Sequence, residues 1–97
     1  MAINVHKKLT EEELVALVLH KFFHRRAFAK YHIYESDVPK GFPKHIRSDI
    51  LKTAKELRRN GHLTAFPHGR ELVWQLNMKK INGIITVLKK HYPEEFM

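Results

Sequence analysis

Phe42 to Asn60 reads FPKHIRSDILKTAKELRRN, and Gly61 follows it. At helical spacing Ile46, Ile50, Thr53, Ala54 and Leu57 share one side of this stretch. Lys44, Ser48, Lys52, Lys55 and Arg59 share the other, with Arg47 and Arg58 on a flank. Pro43 suits a first helical position, where its missing N–H has no partner to lose. Gly61 suits the position just past the end, where the backbone turns left-handed. The pattern predicts a helix over 43–60 with an apolar inner face and a cationic outer one.

The cationic face starts at the end of the helix that favours acids. Lys44, His45 and Arg47 fall in the first turn, where each positive charge opposes the helix dipole by ~0.3–1 kcal/mol. The placement makes sense if an anion docks there, because free amides, dipole and side chains then act together. A polyanion is the leading expectation, and a solvated lysine-rich face is the plainer one. His45 on this face could also report pH, since protonation adds charge to it.

Outside this stretch the charge is thinner. The 97 residues carry 18 Lys and Arg against 10 Asp and Glu, a net charge of +8. Residues 1–43 hold +2, residues 44–70 hold +5 and residues 71–97 hold +1. A positive charge gathered on one rigid element points toward nucleic acid more than toward an anionic membrane. A 43% hydrophobic fraction at this length predicts one domain, spanning 1–97, with one core. The absence of cysteine excludes disulfides, thiolate metal sites and cysteine nucleophiles, and suits a reducing compartment. MAINVHKKL lacks the pattern of a signal peptide, and no apolar run reaches membrane-spanning length. A cytoplasmic protein without membrane contact is the expectation.

The rest of the chain supplies a frame for the basic helix. Ile3, Val5 and Leu9 alternate in a short N-terminal arm. Thr10 and Glu13 form a capping box for a helix from Glu11 to about Arg26. That helix is apolar on two sides: Leu14, Leu17, Val18 and Phe22 on one, Val15, Leu19 and Phe23 on another. It must be covered twice, by the last helix or by a second subunit. Ala27–His32 is a connector, and Ile33-Tyr34 a very short strand. Ser36 or Asp37 caps a short helix through Val38 and Lys40 that ends at Gly41, with Phe42 as a plug. His62–Phe66 and Leu72–Leu76 form a hairpin around a Pro67-His68-Gly69-Arg70 turn. Asn77 caps a last helix over about 78–91, in which Met78, Ile81, Ile84, Ile85 and Leu88 hold helical spacing; Pro93 stops it and 94–97 is a tail. The fold class predicted is α+β, mostly α, with no repeat or low-complexity linker.

Short helix, Gly41-Phe42-Pro43 turn, basic helix and hairpin resemble a winged helix-turn-helix, with the likeness running over about 11–77 and the C-terminal helix as an addition. Its residues are Ile50, Leu51, Ala54, Leu57, Gly61 and Leu63 in ILKTAKELRRNGHL, then PHGR and ELVWQLN. The longer run HIYESDVPKGFPKHIRSDILKTAKELRRNGHL is similar to small archaeal winged-helix DNA-binding proteins with a like PKGFPKH stretch. The resemblance implies a recognition helix in the major groove and a wing, 62–77, on the minor groove or backbone. It implies Lys44 as a phosphate contact, Arg47 or Ser48 as readers of base edges, and Lys52 and Lys55 as backbone contacts. His68 and Arg70 at the wing tip would reach a neighbouring phosphate or a narrow minor groove. Lys79, Lys80, Lys89 and Lys90 could widen this footprint, although lysines on an amphipathic helix usually just face water.

Other chemistry has less to stand on. His20 and His24, near Glu13, have a spacing zinc could use, but no third and fourth ligands are signposted, so no metal or other cofactor is expected. Trp74 reads as a core or hairpin-covering residue, and Phe22, Phe23 and Phe28 as core and interface. There is no nucleophile turn, no Gly-rich phosphate loop, and the acids mostly sit in cap positions, so the chain does not read as an enzyme. The leading functional expectation is a sequence-specific double-stranded-DNA-binding homodimer, paired through its first and last helices, that regulates transcription. The alternatives are a general nucleic-acid binder, RNA included, and a winged-helix protein-interaction module.

Overall fold

A computed structural model describes residues 8–96. The fold is α+β, mostly helical, with three α-helices and a three-stranded antiparallel sheet. The arm alternation at Ile3 and Val5 lies outside the described residues; Leu9 packs half-buried on the core.

Helix α1 (Glu11–His24) opens on the capping box: the Glu13 amide donates to Thr10 Oγ1 at 3.1 Å and the Thr10 amide to Glu13 Oε1 at 2.9 Å. It ends two residues earlier than expected, because Arg26 turns to φ +53° and sends the chain back across the sheet. Strand β1 (Ile33–Tyr34) is as short as its sequence suggests. Helix α2 (Arg47–Arg59) keeps Ile50, Thr53, Ala54 and Leu57 inside, the inward set its period requires. Gly61 takes φ +86° just beyond its end, a conformation costly for any side-chain-bearing residue. Strands β2 (Leu63–His68) and β3 (Glu71–Leu76) form the hairpin, and β3 is the central strand, in the order β1-β3-β2.

Four local expectations are corrected. The segment before α2 is not a helix through Lys40; only Glu35–Asp37 make a single 3-10 turn, too few residues to nucleate an α-helix. Pro43 is not the first helical residue but sits extended (φ −54°, ψ 143°) ahead of a 3-10 turn at Lys44–Ile46. The hairpin turn is the two residues Gly69-Arg70 alone, with His68 paired to Glu71. Gly69 has φ +68°, as the first central position of a tight hairpin turn requires. Pro67 therefore lies within β2, an edge strand, where a missing N–H can face away from the ladder. Finally, the tail expected over 94–97 is structured through Phe96, together with Pro93. Residues 93–96 form a 3-10 turn that lays Phe96 against Phe23, ring centroids 5.6 Å apart.

One core serves the described residues. Phe22, Leu19 and Val18 of α1, Ile50 of α2, Trp74 of β3, and Ile84 and Leu88 of α3 (Ile81–His91) are fully buried in it. Each such side chain contributes roughly 1.5–3 kcal/mol by leaving water, so α3 is part of the core and not an appendage. Asn77 caps the 3-10 turn Met78–Lys80 that leads into α3, accepting from the Lys79 amide at 3.1 Å. Within one chain α2 and α3 pack on α1, where Leu17, Val18, Leu19 and Phe22 are buried while Leu14, Val15 and Phe23 stay half-buried.

Candidate nucleic-acid interface

Helix α2 has a buried side and an outward one. Ile46, Ile50, Thr53, Ala54 and Leu57 consume one side in the core. The same period then forces Lys44, His45, Arg47, Ser48, Lys52 and Lys55 outward, and all six are exposed. Arg59, exposed and at i+4 from Lys55, continues the ridge beyond the contact residues expected from the sequence. Between the charged groups lies a shallow depression of about 480 Å³ lined by Ser48, Leu51, Lys52, Lys55, Glu56 and Arg59.

The start of this ridge differs from the simple helix end expected. The amides of Ile46 and Arg47 are already taken by the carbonyls of Pro43 and Lys44 in the 3-10 turn. An anion near Lys44 would thus meet side chains more than backbone donors. Arg47 has a second task, since its Nε donates to the Phe42 carbonyl at 2.8 Å. That bond fixes the side chain near the turn and leaves the two terminal nitrogens of the fork pointing on. Lys52 belongs to two surfaces: it also lines the cleft between α1 and α2 with Glu11, Asp49 and Glu56, which moderates its charge.

The segment that leads into α2 is tied down by a lysine on another helix. Lys21 of α1 reaches across and donates to the carbonyls of Asp37, Val38 (3.0 Å) and Lys40 (2.6 Å), with its ammonium 5.4 Å from the centre of the Phe42 ring. An ammonium has three protons, and all three are spent here. Burial lowers the pKa of Lys21 below the ordinary lysine value, and nearby Arg25 adds to that. Beside it Lys40 bonds to the Asp37 carboxylate at 3.0 Å, which lowers the pKa of that acid. Sequence reading missed Lys21 because a lysine on an otherwise apolar helix gives no sign of which carbonyls it will meet.

The hairpin separates His68 from Arg70. Arg70 occupies the exposed turn, as expected. His68 does not: it ends β2, and its ring stacks on Tyr34 at 5.8 Å and meets His32 edge-on at 5.3 Å. Strand alternation puts His68 on a face of the sheet, so it is removed from the tip. His20 and His24 stack at 5.7 Å, but His20 is engaged by Glu95, its Nε2 2.9 Å from Oε1, and lies on the Tyr92 ring at 4.0 Å. These contacts dock the C-terminal turn. No group of three His, Asp or Glu among the described residues is arranged to hold a metal ion.

Trp74 is fully buried, with Arg58 over its ring at 5.7 Å and its indole N–H without a partner. No described helix is long and apolar enough to cross a membrane. Comparison of the chain with protein-family models, with curated proteins and with solved structures found no match.

Proposed function

We propose that this chain binds double-stranded DNA as a winged helix, with α2 entering the major groove and the Gly69-Arg70 turn touching the backbone or minor groove, and that it regulates transcription. The order α1, β1, turn, α2, β2, β3 supports that reading, with a single 3-10 turn pinned by Lys21 where a helix-turn-helix would have its first helix. The observation that carries it is the unbroken exposure of Lys44, His45, Arg47, Ser48, Lys52, Lys55 and Arg59 along one side of a rod ~20 Å long. Such a rod fits the ~12 Å width of a major groove end-on or slanted. Lys44, Lys55 and Arg59 serve phosphates; Ser48 and the free part of the Arg47 fork meet base edges.

Selection of bound fragments from a random duplex pool tests this directly. Enrichment of one motif is the expected result. A flat pool with steep salt dependence would instead make the chain a general nucleic-acid binder, because the phosphate term carries no sequence information. No retention at low salt would leave a protein-interaction module as the reading.

A further inference from the structure

Leu51 departs from the pattern of α2. Ile50, Thr53, Ala54 and Leu57 fill the buried side of the helix. Leu51 is half-buried instead, and it lines the outward depression with Ser48, Lys52, Lys55, Glu56 and Arg59. It is the apolar member of that set. Part of its side chain packs on the core, and part borders the depression.

Its neighbours on the helix surface are basic or small. One turn away lie Arg47 (i−4), Ser48 (i−3), Ala54 (i+3) and Lys55 (i+4), and Arg58 lies two turns on. The acids of α2 fall elsewhere: Asp49 and Glu56 line the cleft against α1 with Glu11. Glu56 also reaches the margin of the depression, where Lys52, Lys55 and Arg59 outnumber it. Over 44–59 six Lys and Arg oppose these two acids, so the segment keeps a net positive charge.

A surface that met phosphates alone would have no use for an apolar side chain at this point. The major-groove edges of base pairs show donors and acceptors, which suit Arg47 and Ser48. They show one apolar group, the C5-methyl of thymine. Leu51 follows Arg47 by about 6 Å along the helix axis, so the two address different base pairs.

We propose that Leu51 is a specificity-determining residue of α2, taking the 5-methyl group of a pyrimidine into the depression between Ser48 and Lys55. This rests on the duplex reading above and adds a base to it: thymine, or a cytosine methylated at the same carbon.

The test uses the full chain and the duplex enriched from the random pool. Each thymidine is replaced in turn by deoxyuridine, which pairs alike and lacks the methyl group. At the position that Leu51 meets, the parent loses about fourfold in affinity, the worth of one methyl group leaving water. Leu51→Ala binds the thymidine and deoxyuridine duplexes alike. Leu51→Met keeps an apolar side chain of similar volume and still tells them apart. The ratio of the two affinities is the readout, because a merely structural Leu51 would weaken both and leave the ratio at the parent's value. At the same position a 5-methylcytosine pair is compared with a cytosine pair: a gain names methylated cytosine as a source of the methyl group, and no gain names thymine alone.

A parent that binds every deoxyuridine duplex as tightly as the thymidine one overturns the proposal. So does an enriched motif without thymine, or a Leu51→Ala variant that still discriminates. A flat pool overturns it too, while leaving duplex binding in place. No retention of duplex at low salt overturns the duplex reading and this proposal with it.

Discussion

The Lys21 ammonium donates to the Val38 carbonyl at 3.0 Å, and Val38 is itself fully buried. Two residues far apart in sequence thereby tie α1 to the segment that leads into α2. Asp37–Lys40 is too short to satisfy its own carbonyls as a helix, and one cation gathers three of them. The clamp fixes the approach to the basic helix, which its own buried side chains seat on α1 and β2.

Lys21→Met keeps the apolar stem and removes the donors. Half-buried carbonyls then lose partners, and stability falls by about 2 kcal/mol. Urea unfolding reads this as a lower midpoint at unchanged slope. A midpoint like the parent's would mean that water replaces the ammonium without loss.

The outward side of α2 makes separable predictions. Lys55→Ala weakens every duplex alike and reduces the salt slope by about one. Arg47→Ala relaxes preference among sites, because the fork is the group that can match a base edge. It also frees the Phe42 carbonyl, so its unfolding midpoint is recorded beside its binding. If both variants bound all duplexes as the parent does, α2 would not be the contact face.

Glu12 joins the ends of α1 and α3. Its carboxylate accepts from Lys90 at 2.6 Å and His91 Nε2 lies 3.2 Å away, and the Lys90 bond, then the His91 one, lower its pKa below the ordinary 4.5. With the folded value depressed, the unfolded state takes up protons first as pH falls. The stability from Glu12 is therefore complete above about 4.5 and lost as pH drops through the folded value. The pair is exposed and worth little globally, so the carboxyl carbon itself should be titrated by NMR. Lys90→Met moves its midpoint up toward 4.5; an unmoved midpoint would deny the contact.

Ala29 holds φ +57° in the connector, exposed, while its carbonyl accepts from Gln75 Nε2 at 2.5 Å. A left-handed alanine costs ~1–2 kcal/mol, and glycine gives back part of that in chain entropy. Ala29→Gly should accordingly raise stability by ~0.5–1 kcal/mol in thermal or urea unfolding. A loss would indicate that the methyl group matters to packing.

Much of this architecture was legible in the residues themselves. The Thr10–Glu13 box, the inward set Ile50, Thr53, Ala54 and Leu57, and the left-handed Gly61 depend on neighbours within one turn, so local spacing determines them. Exposure of Lys44, Ser48, Lys52 and Lys55 follows from the same period once the apolar side is inside. The failures were of another kind. Local signals around Ser36–Lys40 and at Pro67-His68 suit both a turn and an extended or helical piece, and pairing partners elsewhere chose between them.

By itself, then, the sequence determined the mostly helical α+β class, the basic side of α2 and the burial of Trp74. Only the tertiary structure decided that α3 covers α1, that Lys21 takes the place of a helix by gathering three carbonyls, and that His68 leaves the hairpin tip to join His32, Tyr34 and Phe66 over Val73. The reason is range. Periodicity and capping are set by chemistry a few residues apart, whereas which carbonyl a long side chain meets, and which rings share a sheet face, depend on strand register and helix placement across the whole chain.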